Sequence, residues 1–151
     1  MSITIRHATI EDLDALWEIE KECFTVEAFT KEQIEYLLEA STGVSLVAQI
    51  NNEIVGFIIG LIYPRNKMRV GHIYTIDVLT EHRRKGVASR LLGELEKIFV
   101  ERDVKACYLE VRLDNAAARR LYKKHGYVEM EQLKDHYGRG VHGIRLRKLL
   151  F

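Results

Sequence analysis

Arg83-Arg84-Lys85-Gly86-Val87-Ala88-Ser89 lies between a strand-like run and a long amphipathic segment, and its reading decides the fold. Gly86 permits a tight backbone path closed to residues with a side chain. From there Val87, Leu91, Leu95 and Ile98 recur at helical spacing, and Leu92 and Phe99 widen the stripe. The first turn of a helix leaves N–H groups without acceptors, and the dipole adds positive potential, so an anion finds a ready site there. Three cations directly upstream strengthen that preference. Taken alone, the same turn also reads as a solvated basic loop ahead of a helix, and the surrounding pattern has to decide.

Working outward, His72-Ile73-Tyr74-Thr75-Ile76-Asp77-Val78-Leu79 reads as the strand that feeds the turn, and Ala106 to Arg112 as the strand after the helix. A strand–helix–strand crossover makes these two parallel neighbours. Asn115 to His125 reads as a short helix closed by Gly126. Tyr127 to Lys134 and Gly143 to Leu149 supply two final strands around Tyr137-Gly138-Arg139-Gly140. Toward the N-terminus, Val44 to Ile50 and Ile54 to Tyr63 form a hairpin across Asn51-Asn52, followed by a loop through Pro64 and Lys67. Gly56 and Gly60 mark close approach of another group. Ile3 to Arg6 is a first strand. Thr9 with Asp12 and Thr30 with Gln33 resemble capping boxes. They open two helices, the first with a buried stripe of Ile10, Leu13, Leu16 and Trp17, the second with Ile34, Leu37 and Leu38. The pattern predicts a single α/β domain over residues 1–151 with a mixed sheet, antiparallel at its ends.

Composition narrows the function. With nearly half the residues apolar and a net charge of +1, there is no general attraction to nucleic acid or to a membrane surface. No apolar run approaches the length of about 18 residues that spans a bilayer, and the N-terminus lacks a signal-peptide core. Cys23 and Cys107 stand far apart without partners at metal-ligand spacing, as free thiols in a reducing cytoplasm would. A His72–Glu110 pair lacks a third ligand, so no metal is assigned.

Taken together, Arg83-x-x-Gly86-x-Ala88, the Leu-Glu-Val-Arg strand ending at Arg112, and Asn115-Ala-Ala-Ala-x-x-Leu121-Tyr122-x-x-x-Gly126-Tyr127 resemble the Gcn5-related N-acetyltransferases. The likeness covers essentially the whole chain. It is nearest to the branch that acetylates protein N-termini, the RimI-like and archaeal or eukaryotic NatA-type chains. The resemblance implies a central mixed, mostly antiparallel, splayed sheet of about seven strands flanked by about four helices. It implies acetyl-CoA as donor, with the pyrophosphate held by Arg83, Arg84, Lys85, Gly86, Val87, Ala88 and Ser89. Ile76, Asp77 and Val78 would pair with the pantetheine arm, and Asn115 would bond to it besides capping its helix.

Acyl transfer from a thioester to an amine needs a free amine, a stabilised oxyanion and a proton for the thiolate. An α-amine has a pKa of about 8 and a lysine about 10.4, so an N-terminal amine demands less of its base. Glu110, a charge in mid-strand, is the first candidate for that base, and it also reads as a cross-strand partner for an arginine. The family pattern makes Glu110 the base, Tyr122 the general acid and His72 a proton relay. Tyr122 reads as a core residue too, and a strand histidine is often a packed one. His72, Tyr74, Ile76 and Val78 share strand parity and are expected on one face. The resemblance aligns Thr25-Val26-Glu27-Ala28-Phe29 with a Leu-Pro-Glu-Asn-Tyr substrate loop, so Glu27 would meet the amine and Phe29 replaces a tyrosine. Phe24 and Val26 would wall an apolar pocket, unless Phe24 and Phe29 only staple two helices. Tyr137 would clamp the peptide backbone.

The expected activity is acetyl-CoA-dependent acetylation of protein or peptide N-termini by direct attack. The Val78 amide would face the oxyanion, and neither cysteine is a convincing nucleophile. An auxiliary subunit or a homodimer is compatible with this reading. A small-molecule amine acetyltransferase and a non-catalytic acyl-CoA-binding domain are the alternatives.

Overall fold

A computed structural model describes residues 2–151. In chain order its elements are β1 (Thr4–His7), α1 (Leu13–Cys23), α2 (Lys31–Glu39), β2 (Gly43–Ile50), β3 (Glu53–Arg65), β4 (Met68–Val78), α3 (Val87–Glu101), β5 (Val104–Arg112), α4 (Ala116–Lys124), β6 (Val128–Leu133) and β7 (Gly143–Leu149). The strands form one sheet in the order β1-β2-β3-β4-β5-β7-β6. Every neighbouring pair is antiparallel except β4 and β5. The expected parallel crossover is present, and so is the splayed sheet of seven strands and four helices.

Two apolar clusters hold the helices to opposite faces. Leu16 and Ile19 of α1 and Ile34 and Leu37 of α2 pack with Val47, Phe57 and Ile59. On the other face Leu91, Leu92, Leu95 and Phe99 of α3, with Tyr122 of α4, pack with Leu46, Ile58, Ile62 and Ile73. The Thr30–Gln33 capping box closes as its spacing implies: Thr30 N–H donates to Gln33 Oε1 (2.8 Å), and Gln33 N–H to Thr30 Oγ1 (3.1 Å). The first helix differs from expectation. Thr9 N–H does donate to the Asp12 carboxylate (2.8 Å), but it opens a 3-10 turn over Ile10–Asp12. That turn rotates Ile10 out of the buried stripe, leaving it 46% exposed.

The region around Pro64 also differs. Asn66 and Lys67 take φ of 51° and 66°, a two-residue turn of mirror-image type, so β3 and β4 extend past the expected loop. Pro64 is tolerated in the strand because β2 pairs with β3 only as far as Leu61, and its missing N–H has no neighbour to serve.

A register shift in β4 shapes the site. Ile59 faces Thr75 and Gly60 faces Ile73, which leaves Tyr74 opposite no residue of β3: a β-bulge. The extra residue reverses side-chain alternation. Tyr74 packs toward α1 and α2, while Ile73, Ile76 and Val78 pack toward α3. The parity expected for His72, Tyr74, Ile76 and Val78 is therefore broken at the bulge. His72 and Tyr74 stay together, ring centroids 4.3 Å apart, and Ile76 and Val78 take the opposite face. Beyond the bulge β4 leaves β5. Their pairing runs from Arg69↔Val104 to Ile73↔Leu109 and stops, so Tyr74–Val78 and Glu110–Arg112 form the two arms of an open fork.

Phe99 pins α3 beside this parallel seam. A Cβ at Gly60 would come within 2.9 Å of the Phe99 ring, and a Cβ at Gly71 would collide with it. Gly60 was legible as a close approach, Gly71 was not. Replacing Gly71 with Ala should cost about 1–3 kcal/mol of stability through overpacking. Denaturant unfolding reads the loss, and Phe99→Leu in the same chain should recover part of it, because contacting sites are not additive.

Candidate active site

The base of the fork brings together His72, still paired with Tyr108, and Glu110, the first residue of β5 beyond the pairing. His72 Nε2 lies 2.7 Å from Glu110 Oε1. The other oxygen, Glu110 Oε2, accepts Arg145 Nε–H at 3.1 Å from the directly opposed position on β7. Arg145 donates in turn to Glu131 (2.7 Å) on β6. Glu110 is thus both a cross-strand arginine partner and a residue at the fork. Burial alone would raise its carboxyl, but hydrogen bonds and charges from His72 and Arg145 outweigh burial and hold it below the usual glutamate value. An ionised carboxylate only accepts, so Nε2 of His72 must be the donor, which leaves Nδ1 of neutral His72 as an acceptor.

The β4 arm offers backbone donors. Leu79 N–H donates to Val55 O on β3 (2.9 Å). Along a strand successive N–H groups alternate direction, so the N–H of Val78, and likewise of Ile76, points away from β3 into the fork. Val78 O on the same side accepts Arg83 Nε–H (3.1 Å) and Cys23 Sγ–H (3.4 Å). Asp77 differs from its neighbours: its side chain faces α1 and is buried, so only its main chain is available for strand-like pairing.

At the end of that arm the basic turn takes a left-handed path, with φ of 65° at Arg84 and 81° at Gly86. The first helical bond of α3 runs from Arg90 N–H to Gly86 O (3.0 Å). The N–H groups of Val87, Ala88 and Ser89 are therefore left without intrahelical acceptors, the arrangement an anionic phosphate fits. Arg83, Arg84 and Lys85 are exposed around it. Ser89 Oγ contacts His125 Nε2 (3.0 Å), tying the turn to the end of α4. Asn115 Oδ1 accepts Ala118 N–H (3.1 Å) as the cap of α4, leaving its amide NH2. Tyr122 on α4 is 5% exposed and stacks edge-on against Tyr127, so it is a core residue as well. Burial, with the nearby Asp77 and Cys107, pushes its hydroxyl well up, so it keeps its proton at neutral pH.

Two loops flank the fork. Between α1 and α2, Glu27 Oε1 accepts Thr25 N–H (2.8 Å) and Oε2 faces Arg112 Nη1 of β5 (3.4 Å). Burial opposes its charge, yet backbone hydrogen bonds and Arg112 hold the Glu27 carboxyl low. Between β6 and β7, Tyr137 lies over Gly143, where a Cβ would come within 3.0 Å of its ring. Burial and the charges of Glu110 and Glu27 push its hydroxyl up. The apolar pocket differs from expectation. Val26 is 65% exposed, and the space of about 330 Å³ next to Tyr74 is lined by Phe29, Tyr36 and Leu37 with Glu32 and Gln33. Phe24 is half-buried and does not line it. Arg112, Arg145 and Gly143 were missed in the sequence because their roles depend on strand register. Only the alternation in Gly143-Ile-Arg-Leu-Arg pointed that way.

Comparison with known proteins places the chain in a family and agrees with the fold. Residues 13–127 match the Acetyltransferase (GNAT) family. The chain is 31% identical over 150 residues to an N-alpha-acetyltransferase of Saccharolobus solfataricus, covering 91% of this chain and 87% of that one. The crystal structure of Ard1 from Thermoplasma volcanium superposes with a TM-score of 0.91 at 27% identity, over 100% and 99% of the two chains. An L-2,4-diaminobutyric acid acetyltransferase of Marinococcus halophilus is 34% identical over 127 residues, 82% of this chain and 70% of that one.

Because the folded Glu110 carboxyl lies below its unfolded value, its contribution to stability is present at neutral pH and vanishes as pH falls through the folded value. Arg145→Met removes one of its two partners. The carboxyl midpoint, followed by carbon NMR of labelled glutamate, should move upward, and the acid-unfolding midpoint should rise with it.

Proposed function

The chain belongs to the GNAT acetyltransferase family, and on that footing we propose that it transfers an acetyl group from acetyl-CoA to the N-terminal α-amine of proteins. One observation carries the assignment of the site: β4 and β5 part at the bulge, and the His72–Glu110 pair stands at the base of the opening. The identity to an archaeal N-alpha-acetyltransferase supports the choice of amine. So do the two loops that flank the fork, carrying Glu27 and Tyr137.

Acetyl-CoA supplies, when bound, an acetyl group activated as a thioester. The residues present suit it. The orphan N–H groups of Val87, Ala88 and Ser89 would hold the pyrophosphate, backed by Arg83, Arg84 and Lys85. The main chain of Ile76 and Val78 would pair with the pantetheine arm, and the Asn115 amide would add a donor. The amine end of the peptide would lie near Glu27, with its backbone under Tyr137 and its first side chain toward Phe29 and Tyr74.

The proton of the incoming amine passes to the His72–Glu110 pair. Since Glu110 is held low, its part is to fix Nε2–H of His72 and to steady the charge that His72 gains, with Nδ1 as the accepting atom or a bridging water on Glu110 as the alternative route. The Val78 N–H stabilises negative charge on the oxygen facing it. Tyr122, protonated at neutral pH, holds the proton that a departing thiolate needs. Cys107 is fully buried and its thiol is pushed up to about 12 by burial, and Cys23 to about 11, so neither serves as nucleophile. Both thiols are free, in keeping with a reducing cytoplasm. Among the described residues no helix is long and apolar enough to cross a membrane.

A small-molecule amine is the second reading, favoured by the relative that acetylates diaminobutyric acid. Mass spectrometry of free-N-terminus peptides, N-blocked lysine peptides and small diamines incubated with acetyl-CoA separates the two. Acetylation of free N-termini is the expected result, and labelling of diamines alone would replace it. Glu110→Gln should lower kcat by about 100-fold with acetyl-CoA affinity nearly intact. Unchanged turnover across a full pH profile would remove Glu110 from the proton path.

A further inference from the structure

Two carboxyl groups take no part in the reaction above and are shut off from water: Glu20 on α1 and Asp77 on β4 are each 1% exposed. Thr75 stands between them. Its Oγ1 is 2.9 Å from Glu20 Oε1 and 2.5 Å from Asp77 Oδ1. A hydroxyl has one hydrogen, so it donates to only one of these oxygens, and the second contact needs a hydrogen from a carboxyl.

The remaining oxygens decide which carboxyl supplies it. Glu20 Oε2 accepts the N–H of Phe29 at 3.0 Å, so a donor already offsets the charge of a Glu20 carboxylate. Asp77 Oδ2 is buried with no hydrogen-bond partner among the described residues. An anion left so would lose its solvation without return, whereas the carbonyl oxygen of a neutral acid loses far less. We infer that Asp77 is the neutral acid of this pair, donating to Thr75, and that Thr75 donates to a Glu20 carboxylate which positions the α1–α2 loop by holding the Phe29 N–H.

Burial, then the charge of Glu20, pushes Asp77 well above the ordinary carboxyl range, in agreement with the hydrogen count. The other groups near Asp77 are Cys23 at the end of α1, Arg83 in the basic turn and Tyr122 on α4. Arg83 is the cation among them, and its Nε–H is committed to Val78 O. The chain Asp77–Thr75–Glu20–Phe29 thus runs from the strand beneath the coenzyme arm to the loop carrying Glu27 and Phe29. Glu20 is a positioning residue for the acceptor, and that role rests on the peptide-slot reading above.

Glu20→Met tests it, because methionine has nearly the same length and leaves the Phe29 N–H without an acceptor. The peptide KM should rise about tenfold, with kcat and acetyl-CoA KM within about twofold, and the Phe29 amide should lose its hydrogen-exchange protection. In the unaltered protein at neutral pH, infrared spectroscopy should show a protonated-carboxyl band that shifts on carbon-13 labelling of aspartate. A fall in kcat with peptide KM unmoved overturns the positioning role. A band that is absent, or that shifts only on glutamate labelling, overturns the neutral Asp77. If the unaltered protein acetylates no peptide, the peptide slot is wrong. The hydrogen-bond chain then stands only if both the aspartate band and the Phe29 protection, lost in Glu20→Met, are observed.

Discussion

Everything at this site depends on one unpaired residue. A β-strand presents alternate faces, and a single extra residue reverses that alternation downstream. At Tyr74 the reversal sends Thr75 and Asp77 toward Glu20 of α1 and Val78 toward α3. It also coincides with the place where β4 abandons β5. Strand backbone without a neighbour is a liability in most sheets, because its N–H and C=O groups invite another chain. Here the unpaired stretch lies inside the sheet, flanked by helices, so the groups are offered to whatever fits between the arms. The same defect opens the space and supplies its donors.

The carboxyl groups around the fork illustrate how environment assigns roles to one chemical type. Glu110 has an arginine and a histidine for its two oxygens and stays ionised. Glu27 has backbone N–H groups and Arg112, and also stays ionised. Asp77 has burial, a neighbouring carboxyl and one orphan oxygen, and takes a proton. Desolvation acts on all three. What separates them is whether donors are present to offset it.

Much of this was legible in the sequence, for identifiable reasons. Helix caps and apolar stripes are local, so α2 and α3 could be placed from Thr30, Gln33 and the Val87–Phe99 stripe. The crossover fixed β4 and β5 as parallel neighbours. The Asn51-Asn52 turn was readable because both residues tolerate a left-handed backbone, and Asn66-Lys67 was not, because lysine rarely does. What escaped was nonlocal. The bulge depends on how β3 lines up with β4, and a one-residue offset is invisible to periodicity within β4 alone. Arg145, opposite Glu110, required the insertion of β7 between β5 and β6, which chain order does not indicate. Glu20 looked like one more charge on an amphipathic helix, and only its depth beneath Phe29 and Thr75 distinguishes it.

Phe99 has a consequence beyond packing. Its ring fills the space left by Gly60 on β3 and Gly71 on β4, beside the parallel seam, while Val87, twelve residues earlier on α3, begins the turn that offers N–H groups to an anion. At about 1.5 Å per residue, the two ends of this rod are roughly 18 Å apart. A helix is stiff over such a length, so it works as a lever with its far end clamped in the sheet. The orientation of the anion-binding turn is thereby referred to the seam from which the fork opens, and the two halves of the site share one mechanical datum.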